Sequence, residues 1–278
     1  MRHWPTEPRF ESAGKVDPLL VSPISPVVIG LVLAIVVLTV FVWRWAVRTP
    51  VAVGPEAGVE DDLEREQEQE QEPVPRPFVY AGIGASDVVG VGANDPASES
   101  WVELLARKLP ANTRLVKLGR NGITLNDANK VEVPQAVAEQ PDLITMWNCV
   151  NDATRGIPLP LYTRDLRSAL DRLTQETGAH ILLLNLPDLS LLLPGPESGR
   201  RELIRGGIRQ WNAAMSQAAA DYGGRVTLVD LFPGSAQVLT RPDFVSADSF
   251  HPSSAGYRWL ADHVWSIIER ENLPGASA

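Results

Sequence analysis

From Phe78 onward, short apolar runs alternate five times with amphipathic stretches, and no other feature constrains the fold as tightly. The runs are FVYAGIG (78–84), RLVKLG (114–119), LITMWN (143–148), HILLLNL (180–186) and RVTLVDL (225–231). Their length and aliphatic content fit buried strands. Helical spacing predicts helices near 98–109, 126–139, 160–177, 198–222 and 253–271. In the last of these, Tyr257, Leu260, Val264, Ile267 and Ile268 fall on one face. Repeated strand–helix units predict an α/β domain over residues 78–272, built on a parallel sheet covered on both faces. In such sheets functional groups collect at the C-terminal strand ends.

The chain before Phe78 reads differently. Val27 to Trp43 is an uncharged run, VVIGLVLAIVVLTVFVW, extended upstream by ISP. About 20 residues at ~1.5 Å rise cross a hydrocarbon core of roughly 30 Å. A buried core helix of this length would ordinarily show a polar face. Trp43 and Trp45, with Arg44 and Arg48, make an interfacial anchor. The run starts late and no small-x-small site follows it, which argues against a cleaved signal peptide. The expectation is a tail over 1–23, a single transmembrane helix over 24–47, and a membrane-attached protein. Arg9 and Lys15 before the helix balance Arg44 and Arg48 after it, so flanking charge leaves the orientation open.

Residues 48–77 include EREQEQEQEPVPRP, whose like charge and low hydrophobicity predict an extended tether. A solvated helix over part of it is the alternative. Nine acidic residues against Arg65 give the stretch from Glu56 to Glu72 a charge of −8, out of a whole-chain charge of 25 − 34 = −9. The rest is nearly neutral, and no Lys/Arg-rich stretch suggests a nucleic-acid partner. Cys149 is the sole cysteine, which excludes an intramolecular disulfide and a cysteine-cluster zinc site. Residues 273–278 read as a C-terminal tail.

Chemistry gathers at the strand ends. The first strand runs into Gly82-Ile83-Gly84-Ala85-Ser86-Asp87. A dinucleotide-binding GxGxxG fails where Asp87 takes the third glycine, since a carboxylate repels phosphate. A GxSxG elbow fails at Val88. What remains is Ser86 in a tight turn, either a nucleophile or an ordinary turn former. Ahead of the last helix stands Asp248-Ser249-Phe250-His251-Pro252. A neutral His can remove a serine proton when a carboxylate fixes its tautomer, and these two residues supply both groups within one turn. His3, His180 and His263 are poorer candidates by position. Gly122, after the second strand, and Asn151, after the third, offer a backbone N–H and a neutral amide suited to an oxyanion. Their duller roles are a turn glycine and a helix cap. Asn151-Asp152 with Asp87 also suggests a metal site, but no histidine cluster accompanies them, and no metal is expected.

Together these four blocks resemble the SGNH hydrolases, also called GDSL esterases/lipases. The match covers about residues 78–270, in the same order and strand context. It implies a flavodoxin-like three-layer α/β/α sandwich with a five-stranded parallel sheet. It also implies Ser86 as nucleophile, Asp248 and His251 as its triad partners, and an oxyanion hole of Ser86, Gly122 and Asn151. No cofactor is implied. The substrate would be a small-molecule, lipid or acylated-glycan ester, and the domain would lie outside the cytoplasm. Three departures stand out. The family's GDS reads Gly84-Ala85-Ser86, Asp87 follows the serine, and GxND reads Cys149-Val150-Asn151-Asp152. Cys149 beside the site is a rival nucleophile unless burial keeps its thiol inert. The altered first block also admits a catalytically inactive member that binds a glycan or acylated ligand.

Overall fold

The computed structural model describes residues 76–193 and 199–276. The proposed membrane helix at 24–47, the tail before it and nearly all of the tether lie outside the described residues. Among the described residues no helix is long and apolar enough to cross a membrane.

Five strands form: β1 (Val79–Gly84), β2 (Arg114–Gly119), β3 (Leu143–Trp147), β4 (His180–Leu184) and β5 (Val226–Val229). They make one sheet in the order β2-β1-β3-β4-β5, with every neighbouring pair parallel. The three inner strands are buried along their whole length, which is why each reads as a continuous apolar run. The edge strands β2 and β5 keep partly exposed residues.

The helices, in chain order, are α1 (Ser86–Val89), α2 (Pro96–Glu99), α3 (Trp101–Ala106), α4 (Leu125–Ala138), α5 (Val150–Thr154), α6 (Leu159–Glu176), α7 (Gly199–Ala220), α8 (Ser235–Leu239) and α9 (Ser254–Arg270). Thr124 caps α4 through its side chain, and Ser253 caps α9. Helix α4 packs on α6 and α6 on α7, while α3 packs on α9. The chain leaves β1 toward β2 in one direction and then crosses to β3 on the other side. Right-handed crossovers therefore place these two helix groups on opposite faces of the sheet. Beyond α9, Leu273 and Ala276 pack against the core.

The strand order reverses between β1 and β3. That reversal opens a crevice at the C-terminal edge of the sheet, flanked by the segments after Gly84 and Trp147.

Candidate active site

Ser86 opens the one-turn helix α1 directly after β1, with Ala85 as the preceding cap residue. Ala85 has no side-chain oxygen to hold this turn. Asp87 does so instead: its Oδ1 accepts the Ala85 N–H at 3.1 Å, and its Oδ2 accepts Trp101 Nε1–H at 3.0 Å. Burial pushes the Asp87 carboxyl up to about 6, against the opposing pull of the bonds from Trp101 and Ala85.

The histidine arrives on the loop before α9. A Val245–Pro252 bridge and the Ser246 N–H donated to the His251 carbonyl at 2.8 Å close this loop. Ser249 takes a left-handed φ of 61°, which turns the chain back over Asp248. Asp248 Oδ1 then accepts from the Ser246 hydroxyl, the Phe250 N–H and the His251 N–H at 2.7, 2.8 and 2.9 Å. Asp248 Oδ2 lies 2.6 Å from His251 Nδ1, and His251 Nε2 lies 2.9 Å from Ser86 Oγ. Partial burial raises the Asp248 carboxyl, but the bonds from His251, Ser246 and Phe250 outweigh it and hold it well below the usual carboxylate range. An ionised Asp248 fixes the ring tautomer with its proton on Nδ1, leaving Nε2 to accept the Ser86 O–H.

Several residues that the motifs did not single out join the serine loop to this histidine loop. Gly92 has φ +94°, and a Cβ there would stand 2.5 Å from the Pro252 carbonyl oxygen and 3.0 Å from His251 Cβ. Tyr257 donates its hydroxyl to the Val91 carbonyl at 2.6 Å. Ser254 Oγ accepts the Asn94 N–H at 2.9 Å and donates to Glu99 Oε2 at 2.5 Å. The Gly92 signal was present as a GVG segment after the serine, but its partner lies near the far end of the chain.

A cavity of about 600 Å³, mouth included, opens over Ser86 and His251, and Asn151, Asn148, Trp147 and Phe250 help to line it. Asn151 lies within α5 rather than at its cap, which is Cys149. One hydrogen of its side-chain amide goes to the Ile123 carbonyl at 2.9 Å. An amide carries two, so one remains for a ligand. Gly122, at φ +71°, sits one residue before Ile123 and is not among the residues lining this cavity. Asn151 thus ties the Gly122 segment to the crevice wall. Asp152 turns away to accept the Leu125 N–H at 3.0 Å and so supports the start of α4.

Cys149 is fully buried, with Sγ 3.7 Å from the Leu184 carbonyl oxygen. Burial first, then the nearby Asp87 and Asp152 charges, push its thiol well up and keep it protonated. His180 pairs with Thr227 at 3.0 Å and His263 stacks on Trp259, both away from the crevice. Among the described residues, no group of three or more His, Cys, Asp or Glu side chains is arranged to hold a metal ion.

Residues 81–259 match the model of the GDSL-like lipase/acylhydrolase family. The chain is 26% identical to the GDSL lipase Rv0518 of Mycobacterium tuberculosis over 192 residues, covering 67% of this chain and 77% of that one. It is 24% identical to an arylesterase of Vibrio mimicus over 181 residues, covering 64% and 82%. The crystal structure of TesA superposes with a TM-score of 0.56 at 25% identity, covering 69% of this chain and 98% of that one. The matched segment takes in Ser86, Gly122, Asn151, Asp248 and His251 together with most of β1 and all of β2 to β5, and on that extent the chain is a member of the GDSL-like lipase/acylhydrolase family, an enzyme of the esterase and lipase class.

Proposed function

We propose that this protein hydrolyses carboxylic esters through an acyl-enzyme on Ser86. What supports this reading above all is the Ser86–His251–Asp248 chain, with bonds of 2.9 and 2.6 Å. Ser86 Oγ attacks the ester carbonyl carbon while His251 Nε2 takes its proton. The carbonyl oxygen becomes an oxyanion, held by the Ser86 N–H and the free amide hydrogen of Asn151, both on the cavity wall; the family resemblance adds the N–H of Gly122, which stands outside that wall, as a third donor. His251 then returns the proton to the leaving alcohol as the C–O bond breaks. Water attacks the acyl-enzyme, with His251 again as base, and releases the acid and Ser86. Asp248 holds the ring throughout and stabilises its positive form. No step calls for a metal or an organic cofactor. The substrates in view are small-molecule, lipid or acylated-glycan esters.

The same proposal places the enzyme on a membrane. The uncharged run in 24–47 would anchor it, and the acidic segment 48–77 would hold the catalytic domain away from the bilayer, outside the cytoplasm.

A fluorophosphonate probe tests the chemistry directly. The wild type should be labelled on Ser86 and lose ester turnover in step with labelling. Ser86→Ala should neither label nor turn over, and His251→Ala should be nearly as inert. Triad members act as a unit, so the double variant should be no worse than the worse single one. Folded wild-type protein that resists the probe and hydrolyses no ester would support the non-catalytic binding role.

A further inference from the structure

The catalytic cavity adjoins a larger one. A groove of about 1130 Å³, mouth included, runs between α7 and the 3-10 turn Leu189–Leu192. Leu189, Leu192 and Phe250 line both spaces and form the partition between them. Beyond the partition the walls are chiefly apolar, with Ile204, Ile208 and Trp211 contributed by α7. The groove is also held in shape. Arg205 Nε donates to Asp188 Oδ2 at 2.7 Å between side chains only 18% and 8% exposed, and this pair ties the base of the 3-10 turn to α7.

Gly207 supplies the second observation. It lies mid-helix in the 22-residue α7, where a glycine costs about 1 kcal/mol relative to alanine. No close packing asks for it, because a Cβ at 207 would meet nothing within 4 Å. It does line the groove. A side chain there would stand in the open space, so the helix gives up stability at a position where the effect is a wider groove.

We propose that this groove holds the distal part of an aliphatic acyl chain whose carbonyl is attacked by Ser86, so that the enzyme favours medium- and long-chain acyl esters over acetyl esters. The inference rests on the hydrolase function proposed above and commits that site to a substrate class. The occupant is the acyl chain rather than the leaving alcohol. Ala153 and Thr154 on the groove's wall share the short helix α5 with Asn151, which lines the catalytic cavity and is the residue assigned to the acyl carbonyl's oxyanion.

The test uses the full-length protein with p-nitrophenyl acetate, butyrate, hexanoate and octanoate below their aggregation concentrations. Each methylene that enters an apolar groove raises kcat/KM by up to about fourfold, so the wild-type series should climb more than tenfold from butyrate to octanoate. Gly207→Phe should flatten that climb to within about twofold. Gly206→Phe is the matched control: it makes the same change one residue away, at a glycine not among the groove's lining residues, and should keep the climb. A flat wild-type series, or a climb that survives Gly207→Phe, would overturn the assignment. So would a climb confined to acetate esters of lengthening alcohols, which would give the groove to the leaving group. Trp211 in the groove provides a readout independent of turnover. Laurate should alter tryptophan fluorescence in Ser86→Ala and fail to do so in Ser86→Ala/Gly207→Phe. Laurate binding without turnover of any ester by the wild type would sink the hydrolase function and keep the groove. Turnover without chain-length preference would do the reverse.

Discussion

Gly92 and His251 meet back to back: a Cβ on residue 92 would lie 3.0 Å from the His251 Cβ and 2.5 Å from the carbonyl oxygen of Pro252. The second contact is with backbone, which cannot swing aside as a side chain can. Gly92 also has φ +94°, where an L side chain is strained. Gly92→Ala should therefore push the histidine loop off Ser86. A displacement approaching 1 Å at a reacting group costs on the order of 10²-fold in rate. Turnover per folded molecule should fall by about that factor, together with a lower Tm. Full kcat at an unchanged Tm would show that the two loops are not rigidly docked.

Asp87 makes stability depend on pH in a definite direction. Its folded pKa of about 6 stands above the ordinary value of 3.8, so the folded protein favours the protonated form. The associated stability is complete below about pH 4, falls as pH rises through 6, and is then level. Two units correspond to about 3 kcal/mol as an upper scale. Asp87→Asn lacks this titration but keeps one acceptor for the two donors, Ala85 N–H and Trp101 Nε1–H. Between pH 4 and pH 6.5 the stability of the wild type should decline relative to Asp87→Asn, measured by urea unfolding at each pH. Parallel pH curves for the two proteins would remove Asp87 as the titrating group.

Ser249 reports on how the Asp248 turn is held. Its φ of 61° is left-handed, and a β-branched side chain there is held at a cost of about 1–3 kcal/mol. Ser249→Gly should be neutral to about 1 kcal/mol more stable, with kcat intact. Ser249→Val should lower both Tm and kcat, because opening the turn removes the Phe250 and His251 N–H bonds to Asp248. Differential scanning calorimetry with kcat on the same preparations gives the order directly.

Asn151 separates a transition-state donor from a structural tie. Its amide already gives one hydrogen to Ile123, so Asn151→Ala should lower stability by about 1 kcal/mol through that lost bond. An oxyanion donor adds a kcat loss of about 10²–10³ with little change in KM. Asn151→Asp should be at least as damaging, because it sets a negative charge against the developing oxyanion. A depressed Tm with normal active-site-titrated kcat would leave Asn151 as a tie alone.

The strands were legible because burial on both faces leaves little room for polar residues. LITMWN and HILLLNL announce β3 and β4 within a residue or two. The long helices were legible through their apolar spacing, as in Tyr257 to Ile268 of α9. Helices α1 and α8 and the turn Leu189–Leu192 are too short to show a period, and that turn happens to wall the crevice. Ser86, Asp248 and His251 could be paired by residue chemistry and strand order. The docking of Gly92 on His251, the indole of Trp101 on Asp87, and the tie from Asn151 to the Gly122 segment join residues distant in the chain, and no local pattern encodes them.

Ser86 and His251, the proposed nucleophile and base, are 165 positions apart, and His251 stands at the doorstep of helix α9. Under the proposed mechanism a chain with its whole sheet in place is still inert, because residues 246–270 must seat against Val91, Asn94 and Glu99 before any ester can be cut. In that mechanism hydrolytic power comes only after this docking, as a certificate that the two loops have met. For the same reason a nick or fraying confined to α9 would silence the enzyme while leaving its sheet standing.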